Sequence, residues 1–316
     1  MQTNRDALRA YVQSYASADP SAHLAAADAF FAPDATCHIV HPFNETPYIT
    51  LLDSLHRSFS TLTRADYIAM AGREWVSNTG YFSGQFDAPW LGIAPTGELA
   101  WLRFGEFHRM DAGRAVESYI FLDIPELMIA CGQWPITHSP GDTRGFTGIQ
   151  PGPMTQDGLQ WSAQDTARSQ SSYRMVTDML AGLATPDEAW RPYWHDHMIW
   201  YGPGAFGSFV GIEGFQRFQV PFESAFDGWS GGSAGNGMTE HFCRFGDGDY
   251  VCSGGWPSLT GVQVGSFLDQ PPSGKRLYMR VCDWWRREGD KLRENWVFVD
   301  IPHVLLQLDV DLLEAP

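Results

Sequence analysis

The feature that most constrains the fold of this chain is an internal repeat. Residues 106–128 (EFHRMDAGRAVESYIFLDIPELM) align without gaps to residues 283–305 (DWWRREGDKLRENWVFVDIPHVL), at an offset of 177 residues. A weaker match pairs residues 29–40 with residues 191–202 at an offset of 162 residues. Because charge, apolar character and order agree over these lengths, the sequence predicts two copies of one domain.

The predicted boundaries follow from composition. Residues 133–160 are rich in Pro, Gly, Ser and Thr, which is typical of a linker. We therefore expect a first domain over residues 1–132 and a second over residues 161–316. Each is long enough to bury a core of its own, since a domain of about 150 residues buries roughly 70% of its unfolded surface.

Both copies show the same predicted order of elements, with helices first and an antiparallel sheet after them. This order predicts an α+β fold rather than alternating βαβ units. The predicted helices cover residues 5–17, 19–31 and 48–60 in the first copy and 166–182, 185–194 and 211–227 in the second. The predicted closing hairpins pair 98–108 with 115–123 and 276–286 with 291–300. Asp19 and Thr185 are expected near the start of the second helix of each copy.

Composition excludes several classes of protein. A net charge of −16 opposes nucleic-acid binding, because phosphates would be repelled. The sequence contains no run of about 18 apolar residues, so we expect no membrane span. The five cysteines are scattered and lack C-x-x-C spacing, which indicates reduced, mostly buried thiols and a cytoplasmic location.

Two short motifs suggest cofactors, but their settings do not support them. GPGAFG (202–207) fits the G-x-G-x-x-G pattern of dinucleotide sites, yet Pro203 removes a backbone donor and no βαβ unit surrounds it. We interpret it as a connector from strand to helix. His195-Asp196-His197 offers alternating ligands, but no third ligand has convincing spacing, although His303 could approach. The sequence predicts neither a cofactor nor a metal.

Two stretches resemble the SnoaL-like polyketide cyclases of the NTF2-like superfamily. RENWVFVDIPHVLLQL (293–308) is similar to the closing strand and tail of that family, and MIWYGPGAFGSFVGIEGFQRF (198–218) to its first strand, loop and third helix. The resemblance implies two tandem cone-shaped α+β barrels, each a curved antiparallel sheet on N-terminal helices around a small-molecule pocket. It also implies acid–base chemistry without a cofactor, as in polyketide cyclisation.

The family's site residues map onto this chain with changes. The acid that shuttles the substrate proton in the family falls on Val297, and on Ile120 in the first copy, and neither side chain can move a proton. The family's pocket histidine falls on Asp283 and Glu106. Its first-strand polar residue falls on Trp200 and His38.

An altered site is therefore predicted in the second copy. Asp283 would act as general base, and His241 or a tyrosine would stabilise developing negative charge. We expect Trp200 and Tyr201 to shape an apolar wall, and strand alternation places Asn295 and Val297 on the pocket face. In the first copy, His38 and Glu106 could form a similar pair. Burial is expected to raise the pKa of both carboxyl groups.

Other interpretations stay open beside this one. Asp283 could instead bond an arginine, and His241 could be a packed imidazole. Asp123 and Asp300 are expected to cap the turns that follow them. Glu117 and Glu294 are expected on the outer face of their sheets.

Two whole-protein functions also remain. The chain could be an enzyme acting on a small apolar or carbonyl metabolite, or a non-catalytic carrier or sensor. The first copy could be degenerate or structural. Trp296 and Phe298 face away from the expected pocket, which predicts sheet-to-sheet packing with the other copy or with a second subunit in a homodimer.

Overall fold

The computed structural model describes residues 1–17, 19–139, 145–183, 188–231, 239 and 241–314. The chain divides into two compact units. Unit 1 comprises Met1–Gln133, Pro151–Ala163 and Leu312–Pro316, and unit 2 comprises Trp134–Gln150 and Gln164–Asp311. The residues of the expected linker are thus shared between the two units.

Unit 1 packs helices against one sheet of five strands in the order β1-β5-β4-β3-β2. Its helices are α1 (Gln2–Ser14), α2 (Pro20–Phe30), α3 (Tyr48–Ser58) and α4 (Ile124–Ala130). Its strands are β1 (Phe31–Ile39), β2 (Phe59–Ala71), β3 (Trp75–Phe86), β4 (Leu99–Asp111) and β5 (Arg114–Leu122). Helix α2 begins as predicted, because the Asp19 carboxylate accepts the backbone N–H of Ser21 and Pro20 occupies the first turn.

Unit 2 has a larger sheet in the order β7-β6-β12-β11-β10-β8, and β9 also pairs with β10. Its helices are α5 (Thr166–Leu183), α6 (Gly211–Ser224) and α7 (Ile301–Leu306). Its strands are β6 (Trp194–Tyr201), β7 (Ser208–Val210), β8 (Phe226–Gly231), β9 (His241–Asp247), β10 (Tyr250–Gln263), β11 (Arg276–Glu288) and β12 (Lys291–Val299).

The predicted α+β class and the tandem arrangement of two such folds are confirmed, with two corrections. Each sheet is mixed rather than wholly antiparallel, because its first strand pairs in parallel with its last: β1 with β5 and β6 with β12. The second helix expected over 185–194 is also wrong for the described residues, where only a 3₁₀ turn forms at Arg191–Tyr193. Thr185 lies outside the described residues.

The repeat is visible in individual contacts. In unit 1 Arg103 donates to Asp123 at 3.0 Å, and in unit 2 Arg280 donates to Asp300 at 3.0 Å. Both aspartates also accept the backbone N–H three residues further on, so each caps a short helix as predicted. Two copies of one sequence pattern thus produce the same ion pair and the same cap.

Alternate residues of the closing strand β12 lie on opposite faces of the unit 2 sheet, as expected. We call the helix-covered side of this sheet its inner face, where Trp200 stacks on Phe218 of α6 at 4.7 Å. Asn295 pairs with Trp200 and so shares this face, while Trp296 lies on the opposite, outer face. Trp296 and Phe298 are fully buried there. Their cover by the other copy or by a second subunit stays a prediction.

Two further findings concern the chain as a whole. No described helix is both long enough and apolar enough to cross a membrane. The five cysteines all lie among the described residues and form no disulfide, and four of them are buried, as predicted.

Candidate functional site

A row of side chains crosses the inner face of the unit 2 sheet. Strand register aligns Val297 of β12, Asp283 of β11, Ser253 of β10 and Arg244 of β9. Neighbouring strands lie about 4.8 Å apart, so these four residues span about 15 Å of sheet. We call them the inner row. The inner row holds a carboxyl group and a guanidinium cation on the same face, with a hydroxyl group between them.

Asp283 is the acid of the inner row. Its carboxylate accepts a hydrogen bond from Asn295 at 3.3 Å. No described Lys, Arg or His lies within ion-pair distance of it. Burial raises the pKa of Asp283 to about 7, although the hydrogen bond from Asn295 and the charge of Arg244 pull the pKa in the other direction. This carboxyl group can therefore gain or lose a proton near neutral pH.

His241 joins the same cluster through hydroxyl groups. Its Nδ1 lies 2.6 Å from Ser253 Oγ and 3.0 Å from an Arg244 nitrogen, and its Nε2 lies 2.9 Å from Ser258 Oγ. Arginine can only donate, so Nδ1 is the acceptor and Nε2 carries the proton. Burial, followed by the charge of Arg244, lowers the pKa of His241 to about 4. The imidazole is neutral at pH 7, and both its nitrogens are engaged.

The inner face around this cluster is aromatic and apolar. Trp200 is buried, and its ring centroid lies 5.4 Å from that of Phe215. It also stacks on Phe218, as described above. Trp285 and Val297 are buried on the same face. The structure thus places the predicted residues Asp283, His241, Asn295, Val297 and Trp200 on one face of the sheet, with Trp200 four strands away from His241.

Tyr201 lies elsewhere. It pairs with Trp296, stacks on that ring at 5.1 Å and donates to Glu294 at 3.2 Å. These contacts place Tyr201 on the outer face, away from Trp200. Glu294 lies on that outer face, as predicted, where it accepts from Arg286.

In unit 1 the residue at the position of Asp283 is Glu106, and its surroundings differ. Both oxygens of the Glu106 carboxylate accept from Arg64, at 2.6 and 3.1 Å, and the group also accepts from Asn78 and from Tyr48. Burial alone raises the pKa of Glu106, but the Arg64 charge and the contacts with His108 outweigh it and lower the pKa to about 2. The expected rise is therefore wrong for Glu106, because a buried arginine neutralises it.

His38 does not meet Glu106. It pairs with Tyr119 and stacks on that ring at 4.6 Å, whereas Glu106 pairs with Ile120. Since adjacent residues of a strand face opposite sides, His38 and Glu106 lie on opposite faces of the sheet. The sequence match on the first strand was one residue out of register, and a slip of one residue exchanges the faces. The structural counterpart of Trp200 is Cys37, and that of Tyr201 is His38.

The structure also places the motif His195-Asp196-His197. All three residues lie within β6, rather than across a helix end and a strand start. His195 approaches Glu288 at 3.6 Å. Among the described residues, no group of three or more His, Cys, Asp or Glu side chains is arranged to hold a metal ion.

A surface groove elsewhere in unit 2 is less suited to chemistry. It is an open surface groove of about 210 Å³ whose lining includes Leu268, His138 and Asp269. The His138 and Asp269 side chains form an ion pair at 2.6 Å. Small-molecule pockets typically enclose about 300–1,000 Å³. The inner row, with its buried Asp283 carboxyl group, is the better candidate site.

Sequence reasoning missed Arg244 and Arg64. Strict alternation places His241 and Arg244 on opposite faces, but a bulge at Phe242 inserts an extra residue and turns both side chains inward. The signal for this bulge is Gly254, because the Phe242 ring occupies the space that a Cβ atom there would fill. Arg64 reaches Glu106 from another strand, and no local pattern predicts that contact.

Comparisons with known proteins concern parts of the chain. No protein-family model matches the sequence, and no curated protein matches it. A provisionally assigned SnoaL-like polyketide cyclase from Jannaschia sp. CCS1 is similar at 16% identity over 42% of this chain and 93% of its own, with a TM-score of 0.37. A provisionally assigned hydroxylase from Streptomyces galilaeus is similar at 18% identity over 42% and 86%, with a TM-score of 0.36.

An NTF2-like protein from Burkholderia xenovorans LB400 is also similar, at 15% identity over 44% of this chain and 95% of its own, with a TM-score of 0.34. Each similarity spans less than half of this chain. Proteins of the family that the sequence resembles are thus among the similar structures. At these identities and scores, no activity or residue role passes from them to this chain.

Proposed function

We propose that unit 2 acts on a small, largely apolar carbonyl metabolite by acid–base chemistry without a cofactor. Asp283 is the general base in this proposal, and it removes a proton from a carbon next to the carbonyl or from a hydroxyl group. The observation that carries the proposal is the Asp283 carboxyl group, which lies on the inner face without an ion-pair partner among the described residues and has a pKa of about 7. A base of this pKa suits proton transfer at neutral pH.

The neighbouring residues have defined roles in this proposal. Asn295 orients the carboxylate through its 3.3 Å hydrogen bond. Trp200, Trp285 and Val297 form the apolar wall that excludes water. Tyr201 is left out of the proposed site, because its side chain lies on the outer face of the sheet, where it donates a hydrogen bond to Glu294.

Unit 1 is proposed to be structural. Its Glu106 is fully buried and held by Arg64, so it offers no free lone pair to a ligand. His38 is also left out, because it lies on the other face of the sheet. This division supports the expectation that the first copy has lost any site of its own.

The setting of the protein is part of the proposal. A small-molecule ligand is the expected partner, and the net charge of −16 argues against nucleic acid. Cysteines without disulfides fit a cytoplasmic location. Homodimer formation through an outer sheet face stays a prediction.

This function can be tested without a known product by measuring the exchange of hydrogen for deuterium in candidate substrates. The full-length protein is incubated in D₂O with a panel of enolisable ketones and β-keto esters, and deuterium uptake is read by mass spectrometry. We expect catalysed uptake for at least one compound and a loss of about 10²–10⁴-fold in Asp283→Asn. Asp178→Asn, which changes an exposed residue of α5, is the control and should exchange like the natural chain. Undiminished exchange in Asp283→Asn would remove Asp283 from the mechanism.

A non-catalytic carrier or sensor is the second candidate. Val297 and Ile120 favour it, since they stand where the resembled family has its proton-shuttling acid. A thermal-shift screen of metabolites, followed by a test of each hit for conversion, separates the two candidates. Compounds that bind, but neither take up deuterium nor turn into a product, would favour the carrier or sensor.

A further inference from the structure

We propose that Arg244 is an anion-binding group and that the ligand of unit 2 is a small carboxylic acid with an apolar body. The inference builds on the proposed function, because it places the ligand on the same inner face. It goes further by naming the charged group that the ligand carries. It depends on geometry around Arg244 rather than on proton transfer by Asp283.

The first observation is that this guanidinium has no acidic partner among the residues that the structure describes. Arg244 is half-buried, yet among the described residues no carboxylate comes within ion-pair distance of it. Its contacts are with Ser253 Oγ at 3.0 Å and His241 Nδ1 at 3.0 Å. Buried charges in proteins are normally paired, so a half-buried guanidinium with neutral neighbours is suited to an anion supplied by a ligand.

Contrast with other arginines of the chain supports this assignment. Arg64, Arg103 and Arg286 are buried and each contacts at least one carboxylate. In unit 1 the inner face therefore carries its own counter-ion for the arginine. Unit 2 has the arginine on its inner face, but its inner-row acid, Asp283, lies beyond ion-pair distance.

The second observation is that the fork of Arg244 is held in place. Its Nε donates to Ser253, and one terminal nitrogen donates to the unprotonated Nδ1 of His241. His241 is fixed in turn by Ser258. The remaining N–H groups of the guanidinium have no acceptor among the described residues. A fixed fork of this kind matches the two oxygens of a carboxylate.

The third observation is the spacing between Arg244 and Asp283. Ser253 lies between them in the inner row, so their strands are two spacings, or about 10 Å, apart. A ligand can therefore place a carboxylate at Arg244 and its apolar body along the aromatic wall towards Asp283. His241 has no free nitrogen for the ligand, so it is a positioning residue for Arg244.

The test compares two probes of the same shape, phenylacetate and phenylacetamide, by isothermal titration calorimetry with the full chain. We expect phenylacetate to bind at least about tenfold more tightly, since a hydrogen bond to a charged group contributes about 1.5–3 kcal/mol and 1.4 kcal/mol is tenfold. Arg244→Gln should abolish this preference. Arg244→Lys should keep part of it, because it retains the charge without the fork.

The controls make each outcome decisive. Arg217→Gln removes the same charge from an exposed position on α6 and should keep the full preference. Equal binding of the two probes, no binding of phenylacetate at about 10 mM, or an unchanged preference in both Arg244 variants would overturn the proposal. Asp283→Asn separates it from the proposed function: if that variant keeps turnover while the Arg244 variants lose the preference, the base is wrong and the anion site stands.

Discussion

Glu106 and Asp283 occupy the same position of the repeat but have opposite electrostatic surroundings. Each lies on the inner face of the second-last strand of its unit, where burial raises the pKa of a carboxyl group. In unit 1 the charge of Arg64 reverses this effect, and in unit 2 the hydrogen bond from Asn295 and the more distant charge of Arg244 do not. The nearest charged neighbour, rather than the depth of burial, decides whether the acid can take up a proton at neutral pH.

Replacing Arg64 by Met should destabilise the protein by about 3–5 kcal/mol, because it removes the arginine that pairs with the buried carboxylates of Asp66 and Glu106. Urea denaturation at pH 8 measures this loss. Arg109→Met is the matched control: its pair with Glu117 is partly exposed and should contribute about 1 kcal/mol or less. Equal losses in the two variants would contradict a structural role for the Arg64 cluster.

Asp283→Asn should stabilise the protein at pH 8 by about 1–3 kcal/mol. The pKa of about 7 in the folded state lies above the ordinary value. The folded state therefore keeps a proton that the unfolded state releases, and this contribution is lost as pH rises through about 7. The gain should be small near pH 4, where the group is protonated in the folded state and about half protonated in the unfolded state. Urea denaturation from pH 4 to 8 measures the difference, and a variant that is less stable at pH 8 would count against the assignment.

At the scale of elements, the β9–β10 bulge determines which residues meet on the inner face of unit 2. It turns His241 and Arg244 to the same side and lays the Phe242 ring over Gly254. Bulges next to binding sites commonly redirect a side chain in this way.

Gly254→Ala should therefore disturb the site, because a methyl group there meets the Phe242 ring. We expect a stability loss of about 1–3 kcal/mol and a pKa of His241 that moves back towards its ordinary value. Imidazole NMR across pH measures that pKa. Gly231→Ala is the control, since its added methyl meets only Leu259 at an ordinary distance. If Gly254→Ala changes neither the stability of the protein nor the pKa of His241, the role given to the bulge is wrong.

The elements that sequence predicted well are those set by local signals. Asp123 and Asp300 cap their helices through contacts three residues away, and the closing hairpins follow from turns within the repeat. The faces of the first strands were less predictable. A bulge in β1 after Phe31 shifts the register, and one residue decides between the face of Cys37 and that of His38.

At the scale of the whole molecule, the chain contains one fold twice, and the copies have diverged on their inner faces. The ion pairs Arg103–Asp123 and Arg280–Asp300 are retained in both. The inner acid is neutralised within unit 1 and left protonatable within unit 2. This divergence is what the proposed division expects, with a site in unit 2 and a structural role for unit 1.

The residues between the repeats belong to the units themselves. Phe146 pairs with Ser208 of β7, and Gln150 donates to the backbone of Gly202. A fragment of residues 134–316 should therefore melt at a higher temperature than one of residues 160–316, because the shorter fragment loses these contacts. Calorimetry of both fragments tests this. Equal melting temperatures would show that residues 134–150 do not stabilise unit 2.

The most direct test of the central claim is a carboxyl ¹³C NMR titration of Asp283 in the full-length protein, assigned with Asp283→Asn. We expect the Asp283 carboxyl group to titrate with a midpoint near pH 7. We also expect that Glu106 stays ionised down to about pH 2 in the same sample. A midpoint for Asp283 at or below the ordinary value of about 4 would contradict the account, because burial would then not have raised the pKa of this carboxyl group and the group would be fully ionised at neutral pH.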